Sequence, residues 1–206
     1  MNSISSHKSS NLSGDLIVPG DKSISHRSLI IGSLVNGRIE INNLLESEDV
    51  IATANALRIL GVQINKLNNK WEVFGSGIGN FYGSNYTLNM GNSGTGARLL
   101  MGLIAGSDIE ATFIGDESLS KRPMKRITSP LKKTGAIINC ETNNLPIKIK
   151  GNKIVLPIEY ESSVSSAQVK SSILLAGLSS LGKTTVIEPS LSRDHTERML
   201  NFFGAN

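Results

Sequence analysis

The sequence predicts an α/β (α+β) fold assembled from repeated βαβαββ units. Two observations carry this reading. Short β-branched or alternating runs take turns with runs of helical period along nearly the whole chain. The order of these runs then recurs, with equivalent strands starting near Arg38, Ile109 and Thr184, at steps of 71 and 75 residues. Units too small to bury their own apolar faces must pack on one another, so three units sharing one core is the economical solution.

The elements follow in order. Residues 1–14 are polar and Ser/Asn-rich and read as a flexible tail. Asp15–Gly20 (DLIVPG) reads as a short strand ending in a Pro-Gly turn. DKSISHRSLIIGSLVNG follows as a helix closed by Gly37, and RIEINNLL alternates as a strand. EDVIATANALRILG is an amphipathic helix with Ala52, Ala56, Ile59 and Leu60 on its apolar face and Gly61 as its stop. VQINKLNNKWEVFG is a hairpin turning at Asn68-Asn69. The second round has strand YTLNMG, helix NSGTGARLLMGLIAG and strand IEATFIGD. Helix RPMKRITSPLKKTGA, interrupted near Pro130, and hairpin IINCETNNLPIKIKG complete it. A third round has strand KIVLPIE, helix SSAQVKSSILLAGL, strand KTTVIEP and helix RDHTERMLNFFGA, without a closing hairpin. The units are therefore placed at about 15–75, 85–151 and 153–206, inside a domain spanning 15–206.

Composition narrows the function. The chain has 206 residues, 39% hydrophobic and 18% charged, with mean hydropathy −0.04, a globular balance. No apolar run approaches the ~18 residues of a membrane span. Aromatics are only 4%, too sparse for base-stacking platforms. The net charge of +4 suits an anionic small molecule and falls short of a nucleic-acid stripe. One cysteine, Cys140, and three histidines suggest neither a disulfide framework nor a metal site. Neither a cofactor nor a metal is expected, and a cytoplasmic location is the simplest inference.

The chemistry concentrates at helix starts. A helix N-terminus presents unpaired N–H groups and about half a positive charge, so it attracts anions. The first helix of each unit opens with small polar residues beside cations or amides. These are Lys22, Ser23, Ser25 and Arg27, then Asn92, Ser93, Gly94, Thr95 and Arg98, then Ser165, Ser166, Gln168 and Lys170. Arg122 and Arg193 precede the second helices, and Asp194 with Glu197 has capping-box spacing. Any single start is explained by ordinary capping; three converging starts make a site.

Several tempting features carry less. Gly177–Thr184 (GLSSLGKT) matches the phosphate-loop pattern, but it follows a helix and leads into a strand, the reverse of the required context. His26 and His195 sit among cap residues and read as structural or ligand-orienting. Cys140 has no basic neighbour to activate it, and Trp71 reads as packing.

PGDKSISHRS (19–28), GNSGTGARLLMGL (91–103), GDESLSKRPM (115–124), SSAQVKSSILLAGL (165–178) and SRDHTERML (192–200) together resemble the 5-enolpyruvylshikimate-3-phosphate (EPSP) synthase family, 3-phosphoshikimate 1-carboxyvinyltransferases of the bacterial class II kind. The resemblance implies transfer of the enolpyruvyl group of phosphoenolpyruvate to the 5-hydroxyl of shikimate-3-phosphate, in aromatic amino-acid synthesis. It also implies a fold of two domains, each of three βαβαββ units. By the same resemblance Lys22 is catalytic and touches both substrates. Ser23, Arg27, Ser166, Ala167, Gln168 and Arg193 contact shikimate-3-phosphate. Asn92, Gly94, Thr95, Arg122 and Gln168 contact phosphoenolpyruvate. Ala167 stands where other subgroups have serine, and Leu99 where many members have proline. Gly94 keeps the small residue that leaves room for glyphosate.

Family members run to roughly twice this length, and their second domain supplies the general base. The expectation is that this chain is the N-terminal, substrate-binding half, inactive alone, whose partner is the missing C-terminal domain. A non-catalytic module binding an anionic metabolite or a second-domain chain is the alternative. The related UDP-N-acetylglucosamine enolpyruvyl transferases fit less well, because Lys22 is followed by serine rather than asparagine.

Overall fold

The computed structural model describes residues 3–68 and 70–205. Asp21 starts helix α1 (Lys22–Leu34) by accepting the Ile24 N–H at 2.8 Å. Strand β1 (Asn36–Asn42), helix α2 (Glu48–Ile59) and strands β2 (Gln63–Leu67) and β3 (Lys70–Ser76) follow. The three strands form an antiparallel sheet in the order β1-β3-β2. Next come β4 (Tyr82–Asn89), α3 (Gly94–Ala105), β5 (Asp108–Ile114), the single turn α4 (Glu117–Ser120), α5 (Lys125–Lys133), β6 (Ile137–Asn139) and β7 (Ile147–Lys150). Their sheet runs β4-β5-β7-β6, with β4 and β5 parallel across α3 and the other pairs antiparallel. Last are β8 (Glu159–Glu161), α6 (Ala167–Gly177), β9 (Thr185–Ile187) and α7 (His195–Phe202), with β8 and β9 parallel across α6. The β5-β7-β6 ladder has the arrangement of β1-β3-β2, and β8-α6-β9 has that of β4-α3-β5.

Helix α3 is the centre of the molecule. Apart from Thr95 and Arg98 its sequence is apolar, as a helix surrounded on most sides requires, and Leu99, Leu100, Met101, Leu103 and Ile104 are all buried. Each such side chain contributes about 1.5–3 kcal/mol of hydrophobic free energy. Helices α2, α5 and α6 pack around it. A Cβ on Gly102 would overlap the Ser172 carbonyl oxygen, so this glycine is what lets the α6 backbone lie directly on α3.

Some sequence expectations need correction. The strand expected over Asp15–Gly20 does not form, and Leu16 and Ile17 are 85% and 92% exposed. A strand needs a ladder partner, and among the described residues none pairs with this segment. Helix α1 ends at Leu34, and Gly37 lies inside β1. The apolar face of α2 is Val50, Ala54, Ala56, Leu57 and Leu60; Ile59 points to solvent because α1 and α3 approach from the other side. Helix α5 runs through Pro130 unbroken, since the packing of buried Pro130 and Leu131 offsets the one hydrogen bond proline cannot donate. In KIVLPIE only Val155 makes a bridge, to Ser180, and the strand proper begins at Glu159. At the first hairpin Leu67 pairs with Lys70 and Asn68 takes φ +53°, while Asn69 lies outside the described residues. No described helix is long and apolar enough to cross a membrane.

Candidate functional site

The starts of α1, α3 and α6 meet on one side of the helical core. On α1, Arg27 is 3% exposed, and every guanidinium nitrogen donates to a protein oxygen. Nε reaches Thr196 Oγ1 at 2.6 Å, Nη2 reaches Ser171 Oγ at 2.8 Å, and Nη1 reaches the Ser23 carbonyl at 3.0 Å. Burial, then the like charge of Arg193, pulls its pKa down; Glu197 and Asp21 oppose this. Arg193 itself is exposed and donates to Ser23 Oγ at 3.3 Å. Lys22, the first residue of α1, is ion-paired with Asp49 of α2.

The α3 start is held by a second network. The Ser93 hydroxyl caps the helix by accepting the Gly96 N–H at 3.2 Å. Asn92 donates to Asp116 Oδ2 at 2.7 Å and accepts from Arg122. The Leu119 N–H, followed by Asn92 and Arg122, holds the Asp116 carboxyl below its ordinary range. Gly94 lies between two guanidinium groups: a Cβ there would stand 2.9 Å from Arg122 Nη1 and 3.2 Å from Arg98 Nη1. Burial, then the like charges of Arg122 and Arg126, lowers the Arg98 pKa. Cations clustered this way repel, so an anion bound among them relieves a cost already present in the fold.

Gln168, in the first turn of α6, connects the regions. Its carbonyl accepts from Arg98 Nη1 at 2.8 Å, and its amide donates to Thr95 Oγ1 at 3.0 Å. It also lines an open groove of about 370 Å³ with Ser166, Ala167, Ser192 and Arg193. Ser166 caps α6 by accepting the Val169 N–H at 3.4 Å. Small hydroxyls, an amide and cations thus gather at these helix starts, joined through Gln168, with no group of His, Cys, Asp or Glu suited to a metal among the described residues.

The EPSP synthase (3-phosphoshikimate 1-carboxyvinyltransferase) family model matches residues 6–206. The chain belongs to the EPSP synthase family. It is 52% identical over 203 residues to the 3-phosphoshikimate 1-carboxyvinyltransferase of Bartonella quintana, covering 98% of this chain and 46% of that protein. Against the protein of that name from Rhodospirillum rubrum it is 52% identical over 205 residues, covering 97% and 46%. The structure of an EPSP synthase from Acinetobacter baumannii superposes with a TM-score of 0.88 at 44% identity, over 94% of this chain and 44% of that one. The chain therefore matches one domain of the two-domain fold and spans about half the length of the curated relatives it resembles.

Within this family frame, the structure brings together Ser23, Arg27 and Arg193 and, across Gln168, Thr95, Gly94, Asn92 and Arg122. Two cations of the helix starts are committed elsewhere: Lys22 to Asp49, and Lys170 to Glu188 and Glu197. That second pairing also dissolves the expected capping box, because Glu197 turns to Lys170 and Asp194 makes no side-chain cap bond. The phosphate-loop lookalike lies where α6 turns into β9, with the Ser180 hydroxyl bonded to the Gly177 and Gly182 carbonyls. Sequence reasoning missed Asp49, Asp116, Ser171, Glu188 and Thr196. Three of them, Asp116, Ser171 and Thr196, lie inside the motifs of the helix starts, but only their partners reveal a role.

Proposed function

We propose that this chain forms the shikimate-3-phosphate-binding half of a cytoplasmic enzyme that transfers the enolpyruvyl group of phosphoenolpyruvate to the 5-hydroxyl of that substrate. The observation that carries the reading is Gln168, which lines the groove with Ser166 and Arg193 while bonding Thr95 and Arg98. In this reading Ser23, Ser166, Ala167 and Arg193 surround the phosphate and ring of shikimate-3-phosphate, with Arg27 bracing Ser23 from behind. Asn92, Gly94, Thr95 and Arg122 take the phosphoenolpyruvate end, and Gln168 stands between the two ligands. Lys22 leaves Asp49 to serve both anions, since a phosphate outcompetes one partly exposed carboxylate. In this reading the domain runs over 15–206, in units of about 15–75, 85–151 and 153–206, after a polar tail at 1–14 whose first two residues lie outside the described residues. Turnover then needs the remaining length of the relatives, of which this chain covers 46%. The chain alone is expected to bind without catalysing.

Calorimetric titration with shikimate-3-phosphate tests this, with shikimate and inorganic phosphate as controls. The expected dissociation constant is about micromolar to millimolar, and shikimate or inorganic phosphate alone binds measurably but more weakly, since tight binding needs ring and phosphate together. Arg193→Ala weakens it about tenfold or more, as loss of a charge-assisted hydrogen bond should. A folded chain that ignores shikimate-3-phosphate sinks the assignment and leaves a non-catalytic half.

Gly94 supports a second expectation, for an enzyme carrying this half. Gly94→Ala places a methyl group against Arg122 and Arg98, displacing both guanidinium groups from a small anion between them. The inhibition constant for glyphosate is expected to rise about tenfold or more, or about 1.4 kcal/mol. An unchanged constant would remove the anion from that position.

A further inference from the structure

Glu188 follows β9 and stands behind the anion groove, a place where a carboxylate should repel the ligand. It is nonetheless the most heavily bonded group there. Its Oε1 accepts the Ser166 N–H at 2.9 Å, and the Ser192 hydroxyl lies 2.9 and 2.8 Å from its two oxygens. Lys170 reaches from the second turn of α6 to Glu188 Oε2 at 3.0 Å and to Glu197 Oε1 at 2.7 Å. The Lys170 and Glu188 side chains are 11% and 9% exposed. Burial works against both charges, yet the pairing wins: the lysine pKa is raised and the Glu188 carboxyl is held below its usual range. Alongside, the Ser165 hydroxyl lies 2.7 Å from the Ser190 carbonyl and accepts the Ser190 N–H at 3.0 Å.

These bonds join the two edges of the groove. One edge is Ser166–Gln168, carried by α6; the other is Leu191–Arg193, a loop between β9 and α7 with no regular structure of its own. We propose that Glu188 is a positioning residue, whose carboxylate, neutralised by Lys170, holds Ser166 and the Ser192–Arg193 loop at the spacing that lets both edges grip one phosphate monoester. Without this tie, only the Ser165–Ser190 bonds and the Arg193–Ser23 contact hold the loop that carries Arg193, and the ligand must bear more of the entropy of ordering it. Lys170 neutralises Glu188 from the protein side, so the groove keeps the positive charge of Arg193 for the ligand. The inference rests on the phosphate-groove reading above.

The test combines two measurements on the chain and its variants. Without ligand, Glu188→Ala is expected to speed amide hydrogen exchange at Ser166 about tenfold or more and to speed it across residues 190–193, while the β5 and β7 amides stay unchanged. Glu188→Gln, which keeps an acceptor oxygen but loses the ion pair, falls between. In titrations, Glu188→Ala weakens shikimate-3-phosphate about fivefold or more but leaves shikimate, which lacks the phosphate, unaffected. Equal weakening of both ligands means a general structural role and overturns the proposal, as does unchanged exchange at Ser166. A wild-type chain that fails to bind shikimate-3-phosphate removes the phosphate groove, and the positioning role with it. Wild-type binding that Glu188→Ala leaves intact overturns the positioning role alone. Should Glu188→Ala not fold, Ser192→Ala, which deletes one hydroxyl from the Arg193 edge, is expected to give about a threefold loss confined to the phosphorylated ligand; no loss overturns the tie.

Discussion

Arg27→Met is expected to lower the unfolding free energy by about 2–4 kcal/mol, the range for breaking a buried, hydrogen-bonded charge network. Arg27 is the cross-piece between α1, α6 and α7: its three nitrogens hold Thr196, Ser171 and the Ser23 carbonyl. Methionine fills much of the same space but makes none of these bonds. The Ser171 and Thr196 hydroxyls, 2.6 Å apart, can satisfy each other, which keeps the cost away from the upper end. Urea unfolding followed by circular dichroism measures the loss. The variant also frees Ser23 and with it the Arg193 contact, so affinity for shikimate-3-phosphate should fall alongside stability. A loss under about 0.5 kcal/mol, the scale of an ordinary surface substitution, would mean that the guanidinium is not the strut its contacts describe.

Acidification should cost the fold a comparable amount through one residue. His26 is fully buried in α1, with Nδ1 2.9 Å from Thr53 Oγ1 and Nε2 without a partner. Burial, reinforced by the charges of Lys22 and Arg27 and opposed by Asp49, lowers its pKa from 6.5 to about 4. The unfolded chain therefore takes up the proton first. Stability is fully present above pH 6.5, falls as the pH drops toward about 4, and levels off below it. A separation of one pH unit is worth about 1.4 kcal/mol, so the whole effect is about 3 kcal/mol. The upper part of this window lies above the range where carboxylates titrate, which makes the histidine separable. Urea unfolding at pH 7.5 and 4.5 should show this loss in the wild-type chain and a much smaller one in His26→Gln. Equal slopes in the two proteins would show that His26 is protonated in the folded state.

The features that were legible in the sequence are the local ones. The α3 segment reads as a helix from its run of apolar residues, and α3 is buried except at Thr95 and Arg98. Hairpin β2–β3 reads from its alternation, and its register brings Leu67 opposite Lys70. The caps at Ser93 and Ser166 read from chemistry that spans only three residues. Illegible features depended on partners far along the chain. DLIVPG has the composition of a strand, yet without a neighbouring strand its apolar side chains stand in solvent. The apolar face of α2 was misassigned because its residues permit more than one stripe, and only the approach of α1 and α3 selects among them.

The order of the elements, the anion-seeking character of the helix starts and the family motifs were determined by the sequence itself, since periodicity, caps and charge are properties of short segments. Which of the cations remain available was decided only by the tertiary structure. Lys22, Arg27, Lys170 and Arg193 look alike as letters beside a helix start. Packing brings Asp49 to the first, Thr196 and Ser171 to the second, and Glu188 with Glu197 to the third, and leaves Arg193 exposed. The physical reason is that a charge acts on whatever lies within a few ångströms, and for Arg27 that neighbour is 169 residues away in the chain.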